Sequence, residues 1–126
     1  HDTFMDCPFY ERLQYVGDTR LQALVGFVTN RDARLAENAV RAFDRTRDPS
    51  GITFSRAPSR VPQVIPEYSL WHVCEVHDLA MWRSSEAAIA LLPGVRAILD
   101  HYRGRLRSDG LLDPAPAEQQ AAIVRM

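Results

Sequence analysis

Three carboxylates, Asp6, Glu11 and Asp18, fall within the stretch DCPFYERLQYVGD, beside Pro8, Gly17 and the rings of Phe9, Tyr10 and Tyr15. Acids so placed suit hydrolysis of a glycosidic bond, in which one carboxyl group protonates the leaving oxygen while another activates water or attacks directly. The proton donor must stay protonated near neutral pH, which needs an apolar or anionic neighbourhood. Glu11 has such neighbours in sequence: Phe9, Tyr10, Leu13 and Tyr15 as apolar bulk, with Asp6 and Asp18 as like charges. Rings beside acids also suit sugars, whose C–H faces lie on aromatic surfaces while hydroxyls reach carboxylates and arginine. A plainer reading uses the same residues. Asp18 caps a helix, Asp6 caps a turn with Pro8, and Glu11 pairs with Arg12 at the surface; composition alone favours this, because acids before a helix are common.

Other constellations are thinner. Cys74, His77 and Asp78 in CEVHD place a thiol and an imidazole three apart on one helix face. His72 points elsewhere, so the set falls short of the four ligands zinc normally takes, and no metal is expected. A Cys-His nucleophile lacks an orienting context. Trp71 and Trp82 sit about three helical turns apart and share a face, which usually means core packing. The rival use is a sugar platform at Trp71, near Tyr68 and His72. Arg56 and Arg60 either reach sugar hydroxyls or solvate a loop, and His101 reads as a surface residue near a helix end.

The elements that must position these groups are helical. DTRLQALVGFVTN, from Asp18 to about Asn30, carries Leu21, Leu24, Val25 and Val28 at helical spacing, with Asp18 or Thr19 available as cap. RDARLAENAVRAFDRTR repeats the pattern through Leu35, Ala39, Val40 and Phe43, giving an antiparallel hairpin. Asp48 to Pro66 contains too many prolines for a helix and reads as a long loop, whose Ile52, Phe54, Val61, Val64 and Ile65 imply packing against something. Glu67 to Arg83 is apolar on nearly every side and therefore mostly buried. Ser85 to about Arg107 carries a stripe of Ile89, Leu92, Val95, Ile98, Leu99 and Tyr102, with Pro93 expected to kink or divide it. The tail QQAAIVRM has only a weak helical pattern. An all-α fold of stacked antiparallel hairpins follows, with no convincing strand.

Composition narrows the classes further. The 126 residues fit one domain or part of a larger one, and 46% apolar content suffices for a core. All 15 basic residues are arginine, interleaved with 16 acids to a net charge of -1. No basic block suggests a nucleic-acid surface. Cys7 and Cys74 read as free thiols in a reducing compartment. No apolar run approaches the ~20 residues of a membrane span, and no signal-peptide layout is visible, so a cytoplasmic location is expected; the chain opens at His1 without methionine, which points to trimmed upstream sequence.

DCPFYERLQYVGD resembles the motif that opens the catalytic domain of α-L-rhamnosidase family glycoside hydrolases, which typically reads Asp-Cys-Pro, a few residues, Glu-Arg-Leu-Gly-Trp, then Gly-Asp. The resemblance continues through RLAENAVRAFDRTR, SRVPQVIPEYSLWHVCEVHD and LLPGVRAILD, covering most of positions 5 to 112. It implies part of an (α/α)6 toroid of six helical hairpins and hydrolysis with inversion. Glu11 would be the general acid, and Asp6 and Asp18 would bind sugar or tune that acid. Arg12, as a structural or sugar-contacting member of the motif, and Tyr15 would bind substrate; the platform reading of the residues adds Trp71 and His72 as substrate-binding candidates. Gln14-Tyr15 replaces the usual Gly-Trp, which bears on the choice of sugar. A twelve-helix barrel needs roughly 250 residues at ordinary element lengths, so these four helices amount to about a third of it. The segment that would carry the general base is missing, and DPAPAEQQAAIVRM departs from the family pattern. The chain is thus expected to be one domain-fragment, whether truncated, frameshifted or deliberately cut, and inactive alone. The expected partner is a rhamnosyl glycan, with no cofactor, nucleic acid or membrane. A different class of reading is a helical binding or assembly module that retains only the scaffold and self-associates through exposed hairpin faces.

Overall fold

A computed structural model describes residues 2–114. Four helices follow in order: α1 (Val16–Thr29), α2 (Arg34–Asp44), α3 (Pro66–Trp82) and α4 (Ser85–Arg103). Among the described residues there is no strand, only isolated bridges pairing Tyr15 with Arg56 and Leu106 with Leu112. The tail 119–126, for which the sequence offers only a weak helical pattern, lies outside the described residues.

Local chemistry sets the helix limits. Pro66 stands at the start of α3, where its missing N–H costs no bond. Ser84 caps α4 by accepting a hydrogen bond from Ala87 N at 3.2 Å. Pro93 does not divide the helix, and α4 runs unbroken through it. Asp18 and Thr19 do not cap α1. The helix begins at Val16 behind Tyr15, so both lie inside its first turns.

The four helices pack as two antiparallel hairpins. α3 and α4 are joined by two residues and bind each other most extensively, and the Tyr102 hydroxyl at the end of α4 donates to Pro66 O at the start of α3. α1 runs parallel to α3: Gly17 meets Tyr68 at one end, and Arg83 donates to Phe27 O at the other. The main core lies between all four, through Ala23 and Phe27, Ala36 and Val40, Val76 and Leu79, and Leu91. A second cluster of Val16, Ala39, Phe43 and Ala57 is backed by Trp71.

The expected apolar stripes of α1 and α4 are split: Leu24, Val95 and Ile98 face the core, and most of the other large side chains turn outward. On α1 the buried side is Val16, Ala23 and Phe27, while Leu21, Val25 and Val28 are exposed. On α4 the buried side is Ala87, Ala88, Leu91, Gly94 and Ile98, leaving Ile89, Leu92 and Leu99 exposed. Small side chains let the helices approach closely, so the larger ones are displaced to the outside. A Cβ at Gly94 would strike the Asp44 carboxylate and the Arg47 guanidinium. Trp82 is also exposed and shares no core with Trp71.

Candidate active site

The starts of α1 and α3 lie at the same end of the stack, and the two irregular segments 6–14 and 52–65 cover that end. The first is pinched shut by Asp6, whose N–H donates to Leu13 O at 2.9 Å and whose Oδ1 accepts from Leu13 N at 3.1 Å. Arg12, at φ 53, supplies the left-handed turn that permits this closure. The second segment is sewn to the first: Val16 N donates to Ser55 O at 3.0 Å and Ala57 N to Gln14 O at 3.1 Å. Gln14 completes the join from within the core, accepting from Phe4 N at 2.9 Å and donating to Ala57 O at 2.8 Å. A glycine at position 14 could not make those two side-chain bonds, which gives the departure from Gly-Trp a structural reason.

These segments enclose a cleft of about 480 Å³, with walls formed by Asp6, Glu11, Asp18, Arg56 and the rings of Tyr15 and Tyr68; Gln63 and Ile65 complete it. The three acids singled out in the sequence are therefore brought together, and Tyr15 with them. Both helix starts point their positive ends into this space, a field that favours carboxylates. Asp18 occupies the first turn of α1, where that effect is strongest. Tyr68, opposite, has its phenol pKa raised by burial and then by the Asp18 charge.

Glu11 is an ionised group in this setting. Its pKa is lowered, chiefly by the Cys7 thiol, which donates to Glu11 Oε2 at 2.7 Å, and next by its own backbone N–H. The apolar shelter expected from its neighbours does not form, since Phe9 and Tyr10 are 69% and 83% exposed. Nor does Glu11 pair with Arg12; no such ion pair occurs among the described residues. Asp6, Cys7 and Glu11 place one ligand atom each within 4.8 Å of one another, a grouping that exposed acids often show without a metal.

The remaining candidates sit away from the cleft. Arg12 is exposed and contributes the turn, not a wall. Trp71 is half-buried against the second core cluster, with Arg20 Cζ 5.2 Å from its ring centre. His72 is fully enclosed and has no surface to offer a sugar. It lies between Asp44 on α2, 3.8 Å from Nε2, and Glu75 on α3, 3.5 Å from Nδ1. These are ion-pair distances without hydrogen-bond geometry, because both ring nitrogens and both Glu75 oxygens lack a hydrogen-bond partner among the described residues. Burial pushes Glu75 up to about 7. Burial alone would lower His72, but Asp44 and Glu75 outweigh it and its pKa rises. The group is a buried proton-holding pair of the core. Of Cys74, His77 and Asp78 only the last two meet, with His77 Nδ1 3.5 Å from Asp78 Oδ1, while the other Asp78 oxygen is committed to Arg20 at 2.8 Å.

Sequence reasoning left out Gln63 from the loop and the core role of Gln14; Arg56, read from the sequence as either reaching sugar hydroxyls or solvating the loop, and Tyr68 from α3 both line the cleft. Tyr15 marks Arg56 only through the fold, since Arg56 Nη1 donates to the Tyr15 hydroxyl at 2.9 Å across 41 residues of chain.

No protein-family model matches the sequence, and no curated protein does. Solved structures do. A rhamnosidase from Klebsiella oxytoca with rhamnose bound superposes with a TM-score of 0.80 at 24% identity, over 90% of this chain and 23% of that one. A GH78 family rhamnosidase of Bacillus sp. GL1 superposes with a TM-score of 0.82 at 30% identity, over 91% of this chain and 12% of that one. The chain thus spans less than a quarter of the length of either structure. The all-α stack of hairpins, expected as part of an (α/α)6 toroid, is the fold observed. The carboxylate motif, the hairpin stack and the superpositions agree: the chain resembles a segment of the GH78 rhamnosidases.

Proposed function

We propose that the chain is the acid-bearing piece of a glycosidase catalytic domain, most like an inverting α-L-rhamnosidase, with a rhamnosyl glycan as the substrate of the whole enzyme. The observation that carries this reading is the cleft itself. Asp6, Glu11 and Asp18 from one short motif line a single cavity with two tyrosines and an arginine. In this proposal Glu11 is the proton donor, Asp6 and Asp18 bind sugar hydroxyls, and Tyr15 lies along the ring. The lowered pKa of Glu11 fits a half-built site. A proton donor needs a shielded setting to hold its proton, and here its carboxylate faces solvent beside a donating thiol. The general base is assigned to a part of the enzyme that this chain does not carry, so the chain binds and does not turn over.

The test is a titration of the 126-residue chain with L-rhamnose, followed by amide shifts, in the wild type and in Asp6→Asn and Asp18→Asn. Shifts confined to 6–18 and 55–68, weakened in both variants, support the reading. Hydrolysis of an aryl α-L-rhamnoside by the chain, abolished in Glu11→Gln, would show that the base is present after all.

The exposed faces favour a second reading, a helical assembly module. Leu21, Val25 and Val28 on α1, and Ile89, Leu92 and Leu99 on α4, are apolar and open. A monodisperse oligomer by light scattering, with no sugar-induced shift, would select it.

A further inference from the structure

We propose that Arg56 is a ligand-contacting residue of the cleft, accepting a neutral vicinal diol whose one oxygen takes its free N–H groups while the neighbouring hydroxyl donates to the acidic wall. The inference rests on the carbohydrate reading above and names the group that selects within it.

Arg56 is held where it is from both sides. Its backbone pairs with Tyr15 in an antiparallel bridge, and the flanking Ser55 and Ala57 are bonded to Val16 and Gln14. Nη1 donates to the Tyr15 hydroxyl at 2.9 Å, and Cζ stands 5.7 Å from the Tyr15 ring centre. One of five guanidinium N–H groups is therefore spent. Nε is enclosed and has no partner among the described residues. An enclosed donor without an acceptor is costly, on the order of 1–3 kcal/mol, and that cost is recovered when a ligand supplies the acceptor.

The surroundings say what the ligand is. Arg56 is the one cation among the residues lining the cleft, and it forms no ion pair with Asp6, Glu11 or Asp18 although it shares the cavity with all of them. Space therefore separates a wall that only accepts hydrogen bonds from a group that only donates them. A hydroxyl does both, so a diol can span the gap with each oxygen used twice. A carboxylated sugar meets three acids, and a cationic one meets Arg56. The replacement of Trp by Tyr at position 15 belongs to the same device, because an indole has no hydroxyl to receive Nη1.

The experiment is the rhamnose titration repeated on Arg56→Met, Arg56→Lys and Tyr15→Phe, with the Arg56 Nε–H resonance followed directly in the wild type. The expected result is a shift of that resonance on adding L-rhamnose, and affinity weakened about tenfold in Arg56→Met. Arg56→Lys should be intermediate, since it keeps the charge and loses the fork. Should Arg56→Met not fold, the Nε–H resonance and Arg56→Lys decide the matter. Wild-type binding that Asp18→Asn weakens but that leaves the Nε–H resonance still and Arg56→Lys unchanged would overturn the role of Arg56 and leave the carbohydrate reading intact. Absence of any wild-type binding would remove both.

Discussion

Glu11 is held as a carboxylate by a neighbour one helical turn away in sequence, and that makes its protonation a property of Cys7. The thiol donates to Oε2 while its sulfur accepts from Tyr10 N at 3.3 Å, so the two bonds fix the acid at the rim. Replacing Cys7 by Ala removes the leading cause of the lowered pKa, and the Glu11 carboxyl should then titrate at a higher pH, read from its side-chain carbon shift. Tyr68 offers a second check. A Cβ at Gly17 would lie 3.0 Å from Tyr68 Cζ, so Gly17→Ala must shift that ring, a wall of the cleft, by a few tenths of an ångström. The expected outcome is weaker rhamnose binding with the helix retained, seen by titration beside circular dichroism. Asp6, Glu11, Asp18 and Tyr15 were legible because one motif contains them. Gln63 was not, and Arg56 and Tyr68 could be named as sugar neighbours without being placed, since only the pairing of two distant segments brings them to the same cavity. His72 was misplaced for a related reason: helical spacing puts it one residue from Trp71 but cannot say that its side turns toward Asp44.

At the scale of the elements, limits were easier to read than faces. Pro66 and Ser84 mark their helix starts by chemistry that depends on a single residue, and α3 and α4 begin within one residue of expectation. On α4 the stripe's Ile98 is buried while Ile89, Leu92 and Leu99 are exposed, and on α1 Leu24 meets the core while Leu21, Val25 and Val28 do not, because each helix carries two apolar sides that periodicity cannot rank. Close packing can: alanine and glycine line the contact, as at Ala87, Ala88 and Gly94. Ser84→Ala should cost about 1 kcal/mol by loss of the cap, measured by denaturant midpoint. Phe43, fully buried where the second cluster meets the His72 ring 6.0 Å away, should cost about 3–5 kcal/mol when cut to Ala.

For the whole molecule, the His72–Glu75 pair ties stability to pH. Glu75 has its folded pKa raised from 4.5 to about 7, so the folded chain binds the extra proton, and stability falls as pH rises across that interval. His72 is raised too, so its contribution is complete below its ordinary value of 6.5 and is lost as pH rises through the folded pKa. Both act in one direction. Asp44, lowered first by His72 and then by Arg47 against its own burial, contributes stability above its ordinary value of 3.8 that is lost as pH falls through its folded pKa. The melting temperature should therefore be higher near about pH 5.5 than near about pH 8.5, and Glu75→Gln should flatten the difference. The same stack carries the cleft at one end, where the starts of α1 and α3 meet. Its assignment as half of a rhamnosidase active site is tested most directly by a crystal of the 126-residue chain soaked with L-rhamnose. The sugar should lie between Asp6, Glu11 and Asp18 on one side and Arg56 on the other, along Tyr15. A rhamnose seated elsewhere on the chain, with this cleft holding only solvent at a saturating soak, would contradict it.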